Sequence, residues 1–113
     1  EGRAIRSYSL GEIASEKVIA LADRARHEPR DLYDLWYLIA QKVVDLEPLR
    51  PAITEKLTFR GKQTEGLQEA ILKKEARLKT LWSARLGNQM VVLPPFETVF
   101  REFRRTMRQA RLP

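Results

Sequence analysis

Lys17, Asp31 and Asp34 are the residues of this sequence best suited to chemistry, because each carries charge where the pattern around it calls for a hydrophobe. Leu10, Ile13, Ala14, Ala20 and Leu21 recur at helical spacing. At about 100° per residue, Lys17 and Arg24 fall on the same stripe. Leu32, Leu35, Leu38, Ile39 and Val43 define a second apolar face. Asp31 lies within reach of that face and Asp34 at its edge. A cation on an apolar stripe is costly unless it is paired or reaches water. Two readings follow. In one, a Lys17–Asp31 or Arg24–Asp31 ion pair fixes the packing of two helices. In the other, both charges line a polar cleft, where the lysine holds phosphate and the carboxylate handles a proton or a metal-linked hydroxyl. Asp31 also suits the first turn of a helix, where the macrodipole favours an anion.

The elements that must position these residues are helical. Ser9-Leu10-Gly11-Glu12 fits a capping box and opens a helix expected to reach Arg24 or Ala25. His27-Glu28-Pro29 breaks it, and Pro29 suits the first position of the next helix, expected over 30–43. A short third helix is expected from Pro51 to Phe59, stopped by Gly61. Gln63-Thr64-Glu65 opens a longer fourth helix through Leu67, Ile71, Leu78, Leu81 and Trp82, stopped at Gly87-Asn88. Val91-Val92-Leu93 before Pro94-Pro95 reads as extended. Phe96, Val99, Phe100, Phe103 and Met107 set a last helix over about 96–111. No stretch alternates with period two for long. The expectation is an all-α bundle of four or five helices in one domain, residues 1–113. The first two helices are antiparallel neighbours because their connection is short.

Composition narrows the classes. With 43% hydrophobic and 32% charged residues, 113 residues form neither a disordered chain nor a membrane-embedded one. No run approaches the ~18 apolar residues of a spanning helix, and Glu1-Gly2-Arg3 lacks the apolar core of a signal peptide. The absence of cysteine excludes disulfides and thiolate metal sites. A single histidine, His27, argues against a histidine zinc site or a Ser-His-Asp triad. A soluble, cytoplasmic, helix-rich domain is expected. The net charge of +6 is one-sided: residues 1–56 carry nine basic and ten acidic side chains, residues 57–113 twelve and five. That asymmetry favours an anionic partner, nucleic acid first.

Arg101, Arg104, Arg105, Arg108 and Arg111 form an arginine-rich face opposite Phe100, Phe103 and Met107, suited to phosphate contacts or to plain solvation. Lys73, Lys74, Arg77 and Lys79, diluted by Glu69 and Glu75, read as a solvated face. Tyr33, Trp36, Tyr37 and Trp82 read as packing rather than base-stacking platforms. His27 reads as a surface turn residue. Asp45-Leu46-Glu47 has metal-pair spacing, but Pro48 follows and it reads as a helix-ending loop. There is no glycine-rich phosphate loop and no GxSxG.

The run from Ser9 to Leu21, with Glu16-Lys17 at its centre, followed by Arg30-Asp31-Leu32-Tyr33-Asp34-Leu35-Trp36, resembles the downstream half of the AbiEii family. These are abortive-infection nucleotidyltransferases, the toxins of type IV toxin–antitoxin systems. The resemblance is specific over residues 8–39 and looser over 63–107, where Trp82, the Pro94-Pro95-Phe96 turn and a final helix fit it. It implies the C-terminal helical part of a polymerase-beta-type nucleotidyltransferase. Such an enzyme moves a nucleoside monophosphate from a triphosphate to an acceptor such as the 3′ end of a tRNA. It implies that Lys17 contacts the triphosphate, that Asp31 activates or orients the attacking hydroxyl, and that Asp34 is the second motif aspartate. Arg24 and Arg30 become motif cations for phosphate or for the carboxylates. Mg2+ and NTP are implied for the full-length protein, and an antitoxin as a partner. The family's Gly-Ser turn and Asp-x-Asp metal pair are not recognisable here. The expectation is a fragment lacking its metal-binding half, holding no metal itself and inactive alone.

Three readings compete. The first is the helical half of a nucleotidyltransferase toxin. The second is a non-catalytic basic module that binds nucleic acid or an antitoxin. The third is a structural bundle with an internal ion pair.

Overall fold

The computed structural model describes residues 9–113, so the leader argument at Glu1-Gly2-Arg3 lies outside the described residues. Six α-helices follow in order: α1 (Leu10–Ala22), α2 (Pro29–Ala40), α3 (Arg50–Phe59), α4 (Leu67–Leu72), α5 (Glu75–Leu86) and α6 (Phe96–Gln109). A 3₁₀ turn, Glu47–Leu49, leads into α3. Among the described residues there is no strand, and none of the helices is long and apolar enough to cross a membrane.

Local chemistry sets the ends. Ser9 Oγ accepts from the Glu12 amide at 3.1 Å and Glu12 reaches back to the Ser9 amide at 3.2 Å, closing the capping box. At the other end α1 stops earlier than its pattern. Asp23 Oδ1 accepts from the Ala25 amide at 3.0 Å, and this Asx turn replaces the next helical turn. α2 opens on Pro29 with Glu28 accepting from the Arg30 amide. It ends at Ala40, because Lys42 takes a left-handed φ of 60° and the amides of Lys42 and Val43 turn back to Ile39 and Leu38. Gly61, at φ 68°, closes α3 in the same Schellman geometry.

The expected fourth helix is two helices. At Lys74 the backbone tightens, its amide donating an i→i−3 hydrogen bond to Ile71 O at 3.0 Å, and the chain bends between α4 and α5. Asp45 Oδ1 accepts from the Glu47 amide, as a loop residue should. Val91 and Val92 stand exposed in a bend, and the backbone is extended at Pro95 before α6.

Val18, Leu21, Leu32, Leu35, Ile53, Ile71, Leu78, Leu86, Val99, Phe103 and Met107 share one core. Full burial of each is worth roughly 1.5–3 kcal/mol. The inward face of α1 is Ala14, Ser15, Val18, Ile19 and Leu21. It is turned by about one residue from the stripe the sequence pattern gives: Leu10 is exposed and Ile13 and Ala20 are half-buried. Lys17 therefore sits on the flank of the buried face rather than at its centre. Trp82 donates to Pro94 O at 2.9 Å and packs edge-on against Phe96, tying α5 to α6.

Candidate functional site

α1 and α2 pack against each other and are joined by a connector, residues 23–28. α1 supplies Lys17 from its flank; the first two turns of α2 supply Asp31 and Asp34. Lys17 Nζ lies 3.5 Å from Asp31 Oδ1 and 3.2 Å from Asp34 Oδ2. Asp31 is only 4% exposed, a burial a carboxylate tolerates only when it is paired.

The partner that holds it most closely is Arg26. Its Nε donates to Asp31 Oδ2 at 2.7 Å, and a second guanidinium nitrogen reaches Oδ1 at 3.4 Å. This hydrogen bond, with the charge attraction behind it, raises the Arg26 pKa. Asp34 is held likewise by Arg30, whose Nε donates at 2.8 Å while its other arm donates to Gln89 Oε1. Three cations thus face two carboxylates. Asp31 Oδ2 is tightly bound and Oδ1 only loosely, through contacts of 3.4 and 3.5 Å.

Lys17, Arg26 and Asp31, but not Asp34 or Arg30, line a cleft of about 810 Å³ between α1, the connector and α3. Its far wall carries a second cluster. Glu16 Oε2 accepts from Arg60 at 2.6 Å and pairs with Lys56 Nζ at 3.0 Å. The Arg60 hydrogen bond holds the Glu16 carboxyl below its usual range; partial desolvation opposes it and Lys56 assists. Ile13 and Ala20, assigned to the core by the pattern, line this cleft instead.

The structure brings Lys17, Asp31, Asp34 and Arg30 together. Arg24 is exposed on the turn beyond α1 and takes part in none of the ion pairs among the described residues. The cation that meets Asp31 from this segment is Arg26, because α1 ends before a regular helix would carry Arg24 round. Arg26, Lys56 and Arg60 have no signature in the sequence. They come from a turn and a third helix whose placement no period reveals. Lys74, read as part of a solvated face, is buried; Lys73, Arg77 and Lys79 are exposed as expected. His27 is half-buried rather than on the surface, and its Nδ1 has no hydrogen-bond partner.

Arg101, Arg104, Arg105 and Arg108 lie exposed along α6. The two acids of that helix are engaged elsewhere: Glu97 pairs with Lys79 at 2.8 Å and Glu102 accepts from Trp36 Nε1 at 2.8 Å. The four arginines are not part of the cleft lining. Among the described residues no three acidic or histidine side chains converge as a metal site would need. Asp31 and Asp34 already meet ammonium and guanidinium groups, so this donor set does not fit a divalent ion.

The sequence matches the family model described as nucleotidyl transferase AbiEii toxin, type IV TA system, over residues 1–105. No curated protein and no solved structure matches the chain.

Proposed function

The chain belongs to the AbiEii family of nucleotidyl transferase toxins of type IV toxin–antitoxin systems, and from that premise we propose that residues 1–113 are the helical domain that completes the transferase cleft. The observation that carries this reading is Lys17 shared between two motif carboxylates, at 3.5 and 3.2 Å, on the wall of an open cleft. An ammonium so divided, with 24% of its side chain exposed, can turn to a triphosphate without leaving either carboxylate unpaired, because Arg26 and Arg30 remain.

In the proposed reaction an acceptor hydroxyl, such as the 3′ end of a tRNA, attacks the α-phosphorus of an NTP. The new P–O bond forms as the bond to the β-phosphate oxygen breaks, and pyrophosphate leaves. Asp31 Oδ1, the loosely held oxygen, receives the hydroxyl proton. Lys17 binds the phosphates, Asp34 and Arg30 steady Lys17 and the carboxylates, and Arg24, exposed on the turn beyond α1, adds positive charge for phosphate. Mg2+ would neutralise charge on the transferring group. Its ligands belong to a preceding half with a Gly-Ser turn and an Asp-x-Asp pair, and without that half the helical domain is inactive. Arg101, Arg104, Arg105 and Arg108 contact the acceptor's phosphates. The family implies an antitoxin partner, and the nucleotide and tRNA substrates imply a cytoplasmic site of action.

In the full-length protein, Lys17→Ala or Asp31→Ala is expected to abolish transfer of labelled nucleotide while far-ultraviolet circular dichroism stays helical. Transfer retained in both variants discards these roles. The exposed arginines of α6 favour a second reading, a basic module that binds nucleic acid without chemistry. It requires salt-dependent binding by this chain alone and no transferase half upstream.

A further inference from the structure

Among the described residues one buried cation lies outside the cleft lining. Lys74, at the junction of α4 and α5, is 6% exposed. Its Nζ donates to Asp23 O at 2.8 Å and to the carbonyl oxygen of Arg26. Burial lowers its pKa; Asp23 and Asp31 oppose that shift and Arg26 adds to it. An ammonium is removed from water only where hydrogen bonds compensate, and here both acceptors are backbone atoms of the α1–α2 connector.

At its ends the connector is tied by the Asp23 amide to Ala20 O at 3.2 Å and by Glu28, which caps α2 and pairs with Arg85 at 3.4 Å. Between them its own bonds are the Asx turn at Asp23 and the Arg26 amide to Asp23 O at 3.2 Å. Yet Arg26, whose side chain is 51% exposed, must place its guanidinium 2.7 Å from Asp31. An exposed arginine has about 2 kcal/mol of rotamer entropy working against any single pose. Fixing its backbone carbonyl reduces the conformations it can sample. A packing role alone would be served by methionine, of similar length. What lysine adds is several N–H donors on a flexible stem, enough for two carbonyls at once.

We propose that Lys74 is a positioning residue. From the α4–α5 junction it clamps the α1–α2 connector, so that Arg26 grips Asp31 Oδ2 and leaves Oδ1 to the acceptor hydroxyl. The inference rests on the assignment of Asp31 above. The bend between α4 and α5 belongs to the same device, since it occurs at the residue whose side chain turns inward.

The test uses the full-length protein. Lys74→Met is expected to lower kcat for nucleotide transfer about tenfold or more, with KM for the nucleotide within about twofold, because orientation rather than binding is lost. Arg26→Met gives the same split. The double variant loses no more than the worse single one, because both act on Asp31 through one path. Amide exchange reads the clamp without chemistry: in Lys74→Met the Arg26 amide exchanges at least about tenfold faster, while the Phe103 amide in α6 keeps its wild-type rate. Lys74→Gln, which keeps an N–H donor, falls between the methionine variant and wild type in both measurements; should the methionine variant not fold, Lys74→Gln alone is expected to lower kcat and speed exchange at residue 26 but not at residue 103. Additive losses, unchanged kcat, or equal acceleration at residues 26 and 103 overturn the proposal. Transfer retained in Asp31→Ala sinks the assignment of Asp31 with position 74 untouched, so the two failures are told apart.

Discussion

Two of the charged regions of this chain are built on opposite principles. Around the α1–α2 connector each of the three cations meets a carboxylate, and the central carboxylate is buried. Along α6 four arginines stand in solvent while the helix's own acids serve Lys79 and Trp36. In the first region, folding fixes the geometry and the charges are nearly balanced. In the second, the arginines stand exposed along one helix and the charge is unbalanced. Fixed, balanced charge suits a step that depends on orientation; exposed, unbalanced charge suits a polyanion recognised through its backbone.

Breaking the first region carries the largest expected effect. Asp31→Asn keeps the shape and removes the charge. Transfer by the full-length protein is expected to fall about 10²–10⁴-fold, the usual share of general-base catalysis. Stability falls by about 2 kcal/mol on chemical denaturation. That is below the 3–5 kcal/mol of a fully buried pair, because Arg26 and Lys17 both reach solvent and are partly screened. A stability loss without an activity loss would reduce the pair to a packing device.

Breaking the second region should do the reverse. Replacing Arg101, Arg104, Arg105 and Arg108 together by alanine is expected to leave the thermal midpoint within a few degrees. Nucleic-acid affinity falls about a hundredfold at low salt, and the slope of log K against log salt flattens by up to about four. A drop in stability matching that of Asp31→Asn would erase the contrast between the regions.

The sequence made one region more legible than the other, and for physical reasons. Capping chemistry and apolar periodicity are local, so the starts of α1 and α2, the face of α6 and the stop at Gly61 could be read directly. The pairing of Lys17 with Asp31 was readable because a charge breaks a pattern, with Arg24 as the competing cation; the second contact, to Asp34, was not. Arg26 and Lys74 were not, because their partners are set by a turn and by carbonyl oxygens, which leave no trace in side-chain spacing. The inward stripe of α1 was misplaced because Leu10, Ile13 and Ala20 are as apolar as the residues truly buried. Apolar residues lining an open cleft obey the same period as a core.

pH separates two parts of the connector side further. Glu16 titrates below its ordinary value of 4.5 in the folded state, so its contribution is present above about 4.5 and is lost as pH falls through the lowered value. Lys74 is depressed from 10.5. Burying its charge costs stability at every pH below the lowered value. As pH rises from there toward 10.5, the unfolded chain holds the proton longer and stability increases. Denaturation midpoints should therefore decline on acidification, with a shallower slope in Glu16→Gln, and rise on the alkaline side in wild type but not in Lys74→Met. The Glu16 effect is small, since both members of its pair are partly exposed and screened.

The smallest effect sharpens the comparison by touching neither region. Lys42 holds a left-handed φ of 60° just past the C-terminal end of α2, which carries the chain about 13 Å from Asp31 to Ala40. A side chain costs roughly 1 kcal/mol in that conformation and glycine almost nothing. Lys42→Gly is thus expected to stabilise the fold by about 0.5–1 kcal/mol in chemical denaturation. Transfer rate and salt-dependent binding should stay at wild-type values, because neither Arg26 nor the α6 arginines depend on how α2 ends. A rise in transfer with that added stability would mean that the cleft is limited by how often the domain is folded rather than by how Asp31 is held, and the fixed geometry of the first region would no longer explain its chemistry.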